Sequence, residues 1–279
     1  MRIDSHQHFW KLSRGDYGWL TPDKGPIYRD FGPADLAPIR VRNAIDRTII
    51  VQAAPTIAET QYMLEIAAAE PSVAGVVGWV DFEADDAPDR IAELARDRLL
   101  VGLRPMVHDI ADDDWLLRAD IAPALRATAS AGLVFDALVR PRHLSRVLVV
   151  ADRHPDLQIV VDHGAKPFIR ERRLDPWRAD IAALAARPNI ACKLSGLANE
   201  SRPDWTARDL APYVDHLLAA FGPARLMWGS DWPVVDLAGG YDRWLAAATE
   251  LTAGLADADR DAIFGGTAQR IYLSRRGRG

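Results

Sequence analysis

The chain has a single cysteine, Cys192, among 279 residues. An internal disulfide is therefore excluded, and so is a zinc cluster built on thiolates. Positive charge is scarce too: 34 Lys and Arg against 39 Asp and Glu leave a formal net charge of −5. No basic field is present to hold nucleic acid or an anionic membrane surface. The one basic cluster, Arg275-Arg276-Gly277-Arg278, reads as a solvated terminus. No apolar run reaches the ~18 residues of a membrane span, and Met1-Arg2-Ile3-Asp4 does not begin a signal peptide. A soluble, cytoplasmic chain is the expectation. A Gly-x-Ser-x-Gly elbow, a P-loop and a dinucleotide fingerprint are missing as well.

What the chain does have is a repeated rhythm. Eight short apolar, β-branched-rich runs stand at Arg2–His6, Thr48–Gln52, Val73–Val80, Leu100–Met106, Val134–Val139, Gln158–Gly164, Ile190–Ser195 and Leu226–Asp231. Most are nearly continuous rather than alternating, as expected of strands covered on both faces of a parallel sheet. Their ends follow one another at intervals of 25 to 46 residues, about the size of one βαβ step. Amphipathic helical patterns fill the intervals, for example Ile57–Glu70, Leu144–Arg153, Trp177–Arg187 and Leu210–Phe221. Eight βα units in a chain of this length predict an α/β fold: one (β/α)8 TIM-like barrel, a single domain over residues 1–279. A doubly wound sheet alternates similarly, but its phosphate-binding glycine turn is replaced here by Ser5-His6-Gln7-His8. Two long connections, Phe9 to about Ala34 and Gly196–Arg208, leave the C-terminal ends of strands, where barrel enzymes build their sites.

Ionisable residues gather at those same ends. His6 and His8, two apart on the first strand, point the same way and reach one metal ion or one substrate oxygen; a lone His-x-His is a common chance pair. Asp231 ends the eighth strand and, in a closed barrel, stands beside them. Its alternative is an N-cap or Asx turn into Pro233. His163 leaves the sixth strand in Asp162-His163-Gly164, with Asp162 expected to face away into packing or a structural hydrogen bond. Lys166 reaches over the mouth or is a solvated loop lysine. Arg104 lies inside an apolar strand and needs a partner, either a core carboxylate or substrate oxygens. His108 follows at the same parity. His143, His154 and His216 read as surface or packing residues, and Cys192 as a small core hydrophobe.

In order, Asp4-Ser5-His6-Gln7-His8-Phe9-Trp10, Gly102-Leu103-Arg104, Asp162-His163-Gly164-Ala165-Lys166-Pro167, Lys193-Leu194-Ser195-Gly196 and Gly229-Ser230-Asp231-Trp232-Pro233 resemble the amidohydrolase superfamily. Within it they are similar to the amidohydrolase-2 branch, which holds sugar lactonases and pyrone-dicarboxylate lactonase, over residues 2 to 273. The resemblance implies a distorted (β/α)8 barrel and hydrolysis at a carbonyl or phosphoryl centre. It assigns His6 and His8 to the strand-one pair, His163 to the next histidine and Asp231 to the general base. Ser195 and Gly196 stand where metal-rich members have a second downstream histidine, and the fourth strand offers no lysine to carboxylate. Two metals are thus not expected. The remaining choice is one divalent ion, zinc by ligand type, on His6, His8 and Asp231, or none required. The Gly-Ala-Lys-Pro turn departs from the branch's usual order, and His108 stands where it often has glutamine.

Lactone hydrolysis is the leading expectation: Asp231 activates water, and His163, Arg104, Lys166 or a metal balances the oxyanion. The alternatives are a zinc-dependent decarboxylase of the same superfamily, a pyrone-type dicarboxylate lactonase, and a non-catalytic sugar binder. Few cations stand at the strand ends: Arg104, Lys166 and Arg140. Substrate contacts are expected from Trp10, Trp19, Trp232, Gln52, His108 and Lys166, aromatic faces meeting the C–H face of a sugar ring. That inventory favours a neutral sugar lactone over a dianion. A small-molecule lactone is the expected partner, with self-association into a homo-oligomer left open.

Overall fold

The computed structural model describes residues 1–274, so the arginine-rich terminus lies outside the described residues. Eight parallel strands run in the order β1 to β8: Ile3–Gln7, Arg47–Val51, Val73–Gly78, Leu100–Leu103, Val134–Ala137, Ile159–Val161, Ile190–Leu194 and Leu226–Trp228. The sheet nearly closes on itself through a parallel bridge between Gln7 and Trp232. The Asp231 amide donates to the His6 carbonyl at 2.8 Å, and the His8 amide to the Trp232 carbonyl at 2.7 Å. This is the (β/α)8 barrel. No helix among the described residues is long and apolar enough to cross a membrane.

Each apolar run forms its strand because both faces are covered. One set of side chains, including Val77, Val101, Val134, Val160, Ala191 and Met227, fills the barrel interior, joined by Ile271 and Tyr272 of the C-terminal segment. The other set packs outward against the helices. The helices are α1 (Pro33–Arg42), α2 (Ile57–Ala69), α3 (Ala87–Leu94), α4 (Ala122–Ser130), α5 (Leu144–Arg153), α6 (Trp177–Ala185), α7 (Ala207–Phe221), α8 (Tyr241–Leu251) and α9 (Asp257–Asp261). Helix α1, absent from the apolar periodicity, is started by Pro33 and by Asp35, whose carboxylate accepts the Gly32 amide at 3.0 Å.

The strands end earlier than their apolar runs. After Val161, four consecutive residues from His163 to Lys166 have φ between +52° and +62°. Such a left-handed run is costly for residues other than glycine, and it is a form of backbone strain that clusters at functional sites. Its effect is to turn His163 into the mouth while leaving Asp162 on the interior face. Of the two expectations for Asp162, apolar packing is corrected and a structural polar role holds, since it contacts Lys193 at 3.0 Å.

Candidate active site

Three imidazoles and one carboxylate converge at the C-terminal end of the barrel. His8 Nε2 lies 3.2 Å from His6 Nε2 and 3.3 Å from Asp231 Oδ1. His6 Nε2 and His163 Nε2 stand 3.6 and 3.8 Å from the same carboxylate oxygen. The backbone fixes each one. Asp231 sits at φ 60°, and its neighbour Ser230 is tied to β1 through the buried Asp4, whose Oδ1 accepts the Ser230 amide at 2.8 Å. His163 Nδ1 hydrogen-bonds Ser195 Oγ at 2.8 Å. Gly196 lies against that ring: a Cβ there would fall 2.5 Å from His163 Nδ1, and φ is +64°. Only glycine fits without moving the imidazole.

Proton placement shows what this arrangement suits. A carbonyl only accepts, so His8 Nδ1, 2.7 Å from the Val51 carbonyl, carries the hydrogen. In the neutral ring the lone pair on Nε2 then faces His6 Nε2 and Asp231. Burial, with Lys193 next, holds His6 well below the usual histidine range, and burial pushes His163 down to about 4. Burial alone would raise Asp231, but the surrounding imidazoles, His163 foremost, outweigh it and hold the carboxyl well below the usual carboxylate range. The His8 Nε2 lone pair and the Asp231 carboxylate face each other with no hydrogen between them, which suits a cation. The separations agree, because zinc bonds of ~2.0–2.1 Å make a tetrahedron with edges of about 3.3–3.4 Å. His6, His163 and Asp231 bring ligand atoms within 4.8 Å of one another, with His8 adjacent. The site can hold one metal ion, and His163 belongs to the candidate ligands beside His6, His8 and Asp231.

Beneath the mouth lies a buried charge network that the sequence did not reveal. Lys193 Nζ contacts Asp136 at 2.5 Å, Asp162 at 3.0 Å and His6 Nδ1 at 3.2 Å. Tyr272 donates to Asp136 from the barrel floor at 2.8 Å. Burial pushes Asp136 up to about 6 against the pull of Lys193. Burial opposes ionisation of Asp162 as well, but Lys193, His6 and Arg104 outweigh it and hold that carboxyl well below the usual range. Arg104 Nη1 lies 3.4 Å from Asp162 and 3.3 Å from His6 Nε2. Asp136 and Asp162 thus face Lys193 and Arg104 in one buried, paired network.

Above the histidines opens a cavity of about 570 Å³, lined by His8, Arg104, His163 and Asp231 at its base and by Trp19, His108, Arg140 and Lys166 on its walls. His108 sits in the turn after β4, where burial and the cations Lys166, Arg104 and Arg140 push its pKa down to about 2. Lys166 pairs with Glu200 at 3.4 Å. Three expected contacts are corrected: Trp10, Trp232 and Gln52 are 0–1% exposed and do not line the cavity. Trp10 and Trp232 sandwich Phe31 behind the wall, with ring centroids 5.5 and 5.1 Å from it. Gln52 Nε2 donates to the Arg104 carbonyl at 2.7 Å, while Arg104 Nη2 donates to the Gln52 carbonyl. Gln52 thus holds the arginine. The cation inventory was also too short: loops add Lys24, Arg170 and Arg202 to the lining.

Residues 3–273 match the amidohydrolase family model. The chain belongs to the amidohydrolase family. It is 46% identical over 275 residues to an L-fucono-1,5-lactonase of Burkholderia ambifaria, covering 97% of this chain and 95% of that one. An L-fucono-1,5-lactonase of Burkholderia multivorans is 40% identical, with 98% and 96% covered. Among solved structures, a zinc-bound amidohydrolase from Burkholderia multivorans superimposes with a TM-score of 0.93 at 40% identity, covering 98% of this amidohydrolase and 99% of that chain.

Proposed function

We propose that this amidohydrolase opens sugar lactones, with L-fucono-1,5-lactone as the leading substrate. The observation that carries the reading is the full-length similarity, at 46% and 40% identity, to two proteins named L-fucono-1,5-lactonase, taken with a buried, ionised carboxylate at the base of the cavity. Asp231 orients a water molecule and takes its proton as the oxygen attacks the lactone carbonyl. The ring C–O bond then breaks, the ring oxygen gains a proton, and a hydroxy acid is released. Arg104, next to His6 Nε2 at the cavity base, offers positive charge to the oxyanion that develops. His163 is neutral at neutral pH and presents its ring toward Asp231. One divalent ion, zinc by its ligands, would polarise a carbonyl oxygen when bound to His6, His8, His163 and Asp231. No nucleophilic side chain is required.

Trp19, half-buried on the wall, offers its ring to the apolar face of the sugar, and His108 and Lys166 offer polar contacts to hydroxyls. The test is a comparison of kcat/KM for fucono-, rhamnono- and galactonolactones with that for a pyrone dicarboxylate. The neutral lactones should lead. A clear preference for the dicarboxylate would instead assign the loop cations Arg170 and Arg202 to a second carboxylate.

A further inference from the structure

Behind Trp19, outside the cavity, lies a buried carboxylate that the reaction does not use. Glu59 is on the first turn of α2, with a side chain 0% exposed. Its Oε2 accepts the Tyr17 hydroxyl at 2.7 Å, and its Oε1 accepts the Ala53 amide at 3.2 Å. On the other side of Ala53, the carbonyl accepts Trp19 Nε1 at 2.7 Å. One carboxylate therefore grips the loop two residues before Trp19 and also the residue to which the indole is bonded.

The loop is held at other points as well. Its base is closed by paired backbone hydrogen bonds between Trp10 and Phe31 at 3.0 Å. Between them the chain makes only short turns, Leu12–Arg14 and Pro22–Ile27. Arg14 and Asp16 complete the cluster: Arg14 Nε is 3.5 Å from Glu59, and the Thr56 hydroxyl donates to Asp16 at 3.1 Å. The indole, packed edge-on against Trp10 at 5.5 Å, is thus aimed into the cavity by hydrogen bonds that converge on Glu59. A buried carboxylate is costly unless it is fully paired, and here its partners serve the wall of the cavity.

We propose that Glu59 is a positioning residue for substrate recognition, which holds the Tyr17–Trp19 loop so that the Trp19 indole presents its face to the ligand. The proposal rests on reading the cavity as the lactone site. Glu59 touches neither the substrate nor the reacting groups, so its loss should weaken binding and spare the chemical step.

The test uses the full chain with E59A, E59Q, Y17F and W19F. In E59A the KM for the lactone that the wild type turns over fastest should rise at least about fivefold, with kcat within about twofold. E59Q keeps an acceptor for the Ala53 amide and a donor for the Tyr17 oxygen, and should restore KM to near the wild-type value. Y17F should fall between them. Exchange of the Trp19 indole N–H with solvent, assigned by its absence in W19F, should be about tenfold faster in E59A or Y17F than in wild type. This second readout needs no substrate: if the wild type turned over no lactone, the functional reading would fail while the indole measurement still judged the loop. An unchanged KM in E59A and Y17F, a fall in kcat alone, or unchanged indole exchange would overturn the proposal. If E59A does not fold, Y17F and E59Q carry the same comparison.

Discussion

The amide of Asp231 donates to the carbonyl of His6 at 2.8 Å, so the exit of the last strand is bonded directly to the first. Residues 225 positions apart in sequence thereby place a carboxylate oxygen 3.6 Å from an imidazole nitrogen. The contact that closes the barrel is also the one that places the site's carboxylate. A substitution that loosens the β1–β8 seam should therefore disturb the site as well as the fold.

Lys193 tests the buried network. Lys193→Met removes the cation between Asp136 and Asp162 and leaves two interior carboxylates without their main partner. Breaking a buried pair in this way typically costs ~3–5 kcal/mol, read as a lower urea midpoint. A loss below about 1 kcal/mol would show that Tyr272 and Arg104 suffice to hold the carboxylates.

Metal content tests the convergence of the lone pairs. The purified protein should take up at most one equivalent of zinc, measured by elemental analysis, and His6→Ala and His163→Ala should each reduce that uptake strongly. Acid should release the metal, because protons compete with it for the imidazole nitrogens. Two equivalents in the wild type, or full retention in both variants, would contradict the geometry.

Glu59 makes a prediction about stability. Burial pushes its carboxyl from 4.5 up to about 7 in the folded state. A raised folded pKa means that this group's stabilising contribution is complete below about pH 4.5 and is lost as pH rises through about 7. At 1.36 kcal/mol per unit the loss is about 3 kcal/mol. The difference in unfolding free energy between wild type and Glu59→Gln should shift in that direction between pH 5 and pH 8. A flat difference, or one of opposite slope, would show that Tyr17, Ala53 and Arg14 compensate the charge fully.

Much of this was legible before the structure, for identifiable reasons. The strands announced themselves because a barrel covers both strand faces, which demands uninterrupted apolar runs such as Val73–Gly78. His6, His8, His163 and Asp231 stood out as polar residues near the ends of those runs, and Arg104 as a charge inside one. Less legible was how the runs end: the left-handed turn after Val161 cannot be seen in Asp-His-Gly-Ala-Lys, so His163 was expected at the mouth but the charged partners of Asp162 inside the barrel were not. Lys193 looked like one polar interruption in Ile-Ala-Cys-Lys-Leu, since its partners come from β5 and β6 and meet it only inside the closed barrel. Trp10 and Trp232 were misplaced because a loop tryptophan looks the same in sequence whether it faces substrate or packs behind the wall. Helix α1 hid behind Pro38 and a weak separation of its polar and apolar faces.

The central claim is that Asp231 drives water onto a sugar lactone in this cavity, and steady-state kinetics on L-fucono-1,5-lactone test it most directly. After subtraction of spontaneous opening, wild type should reach a kcat/KM of about 10⁴ M⁻¹s⁻¹ or more. Asp231→Asn, with its fold checked by circular dichroism, should lose about 10²-fold or more in kcat. Near-wild-type turnover in a folded Asp231→Asn protein would contradict the account.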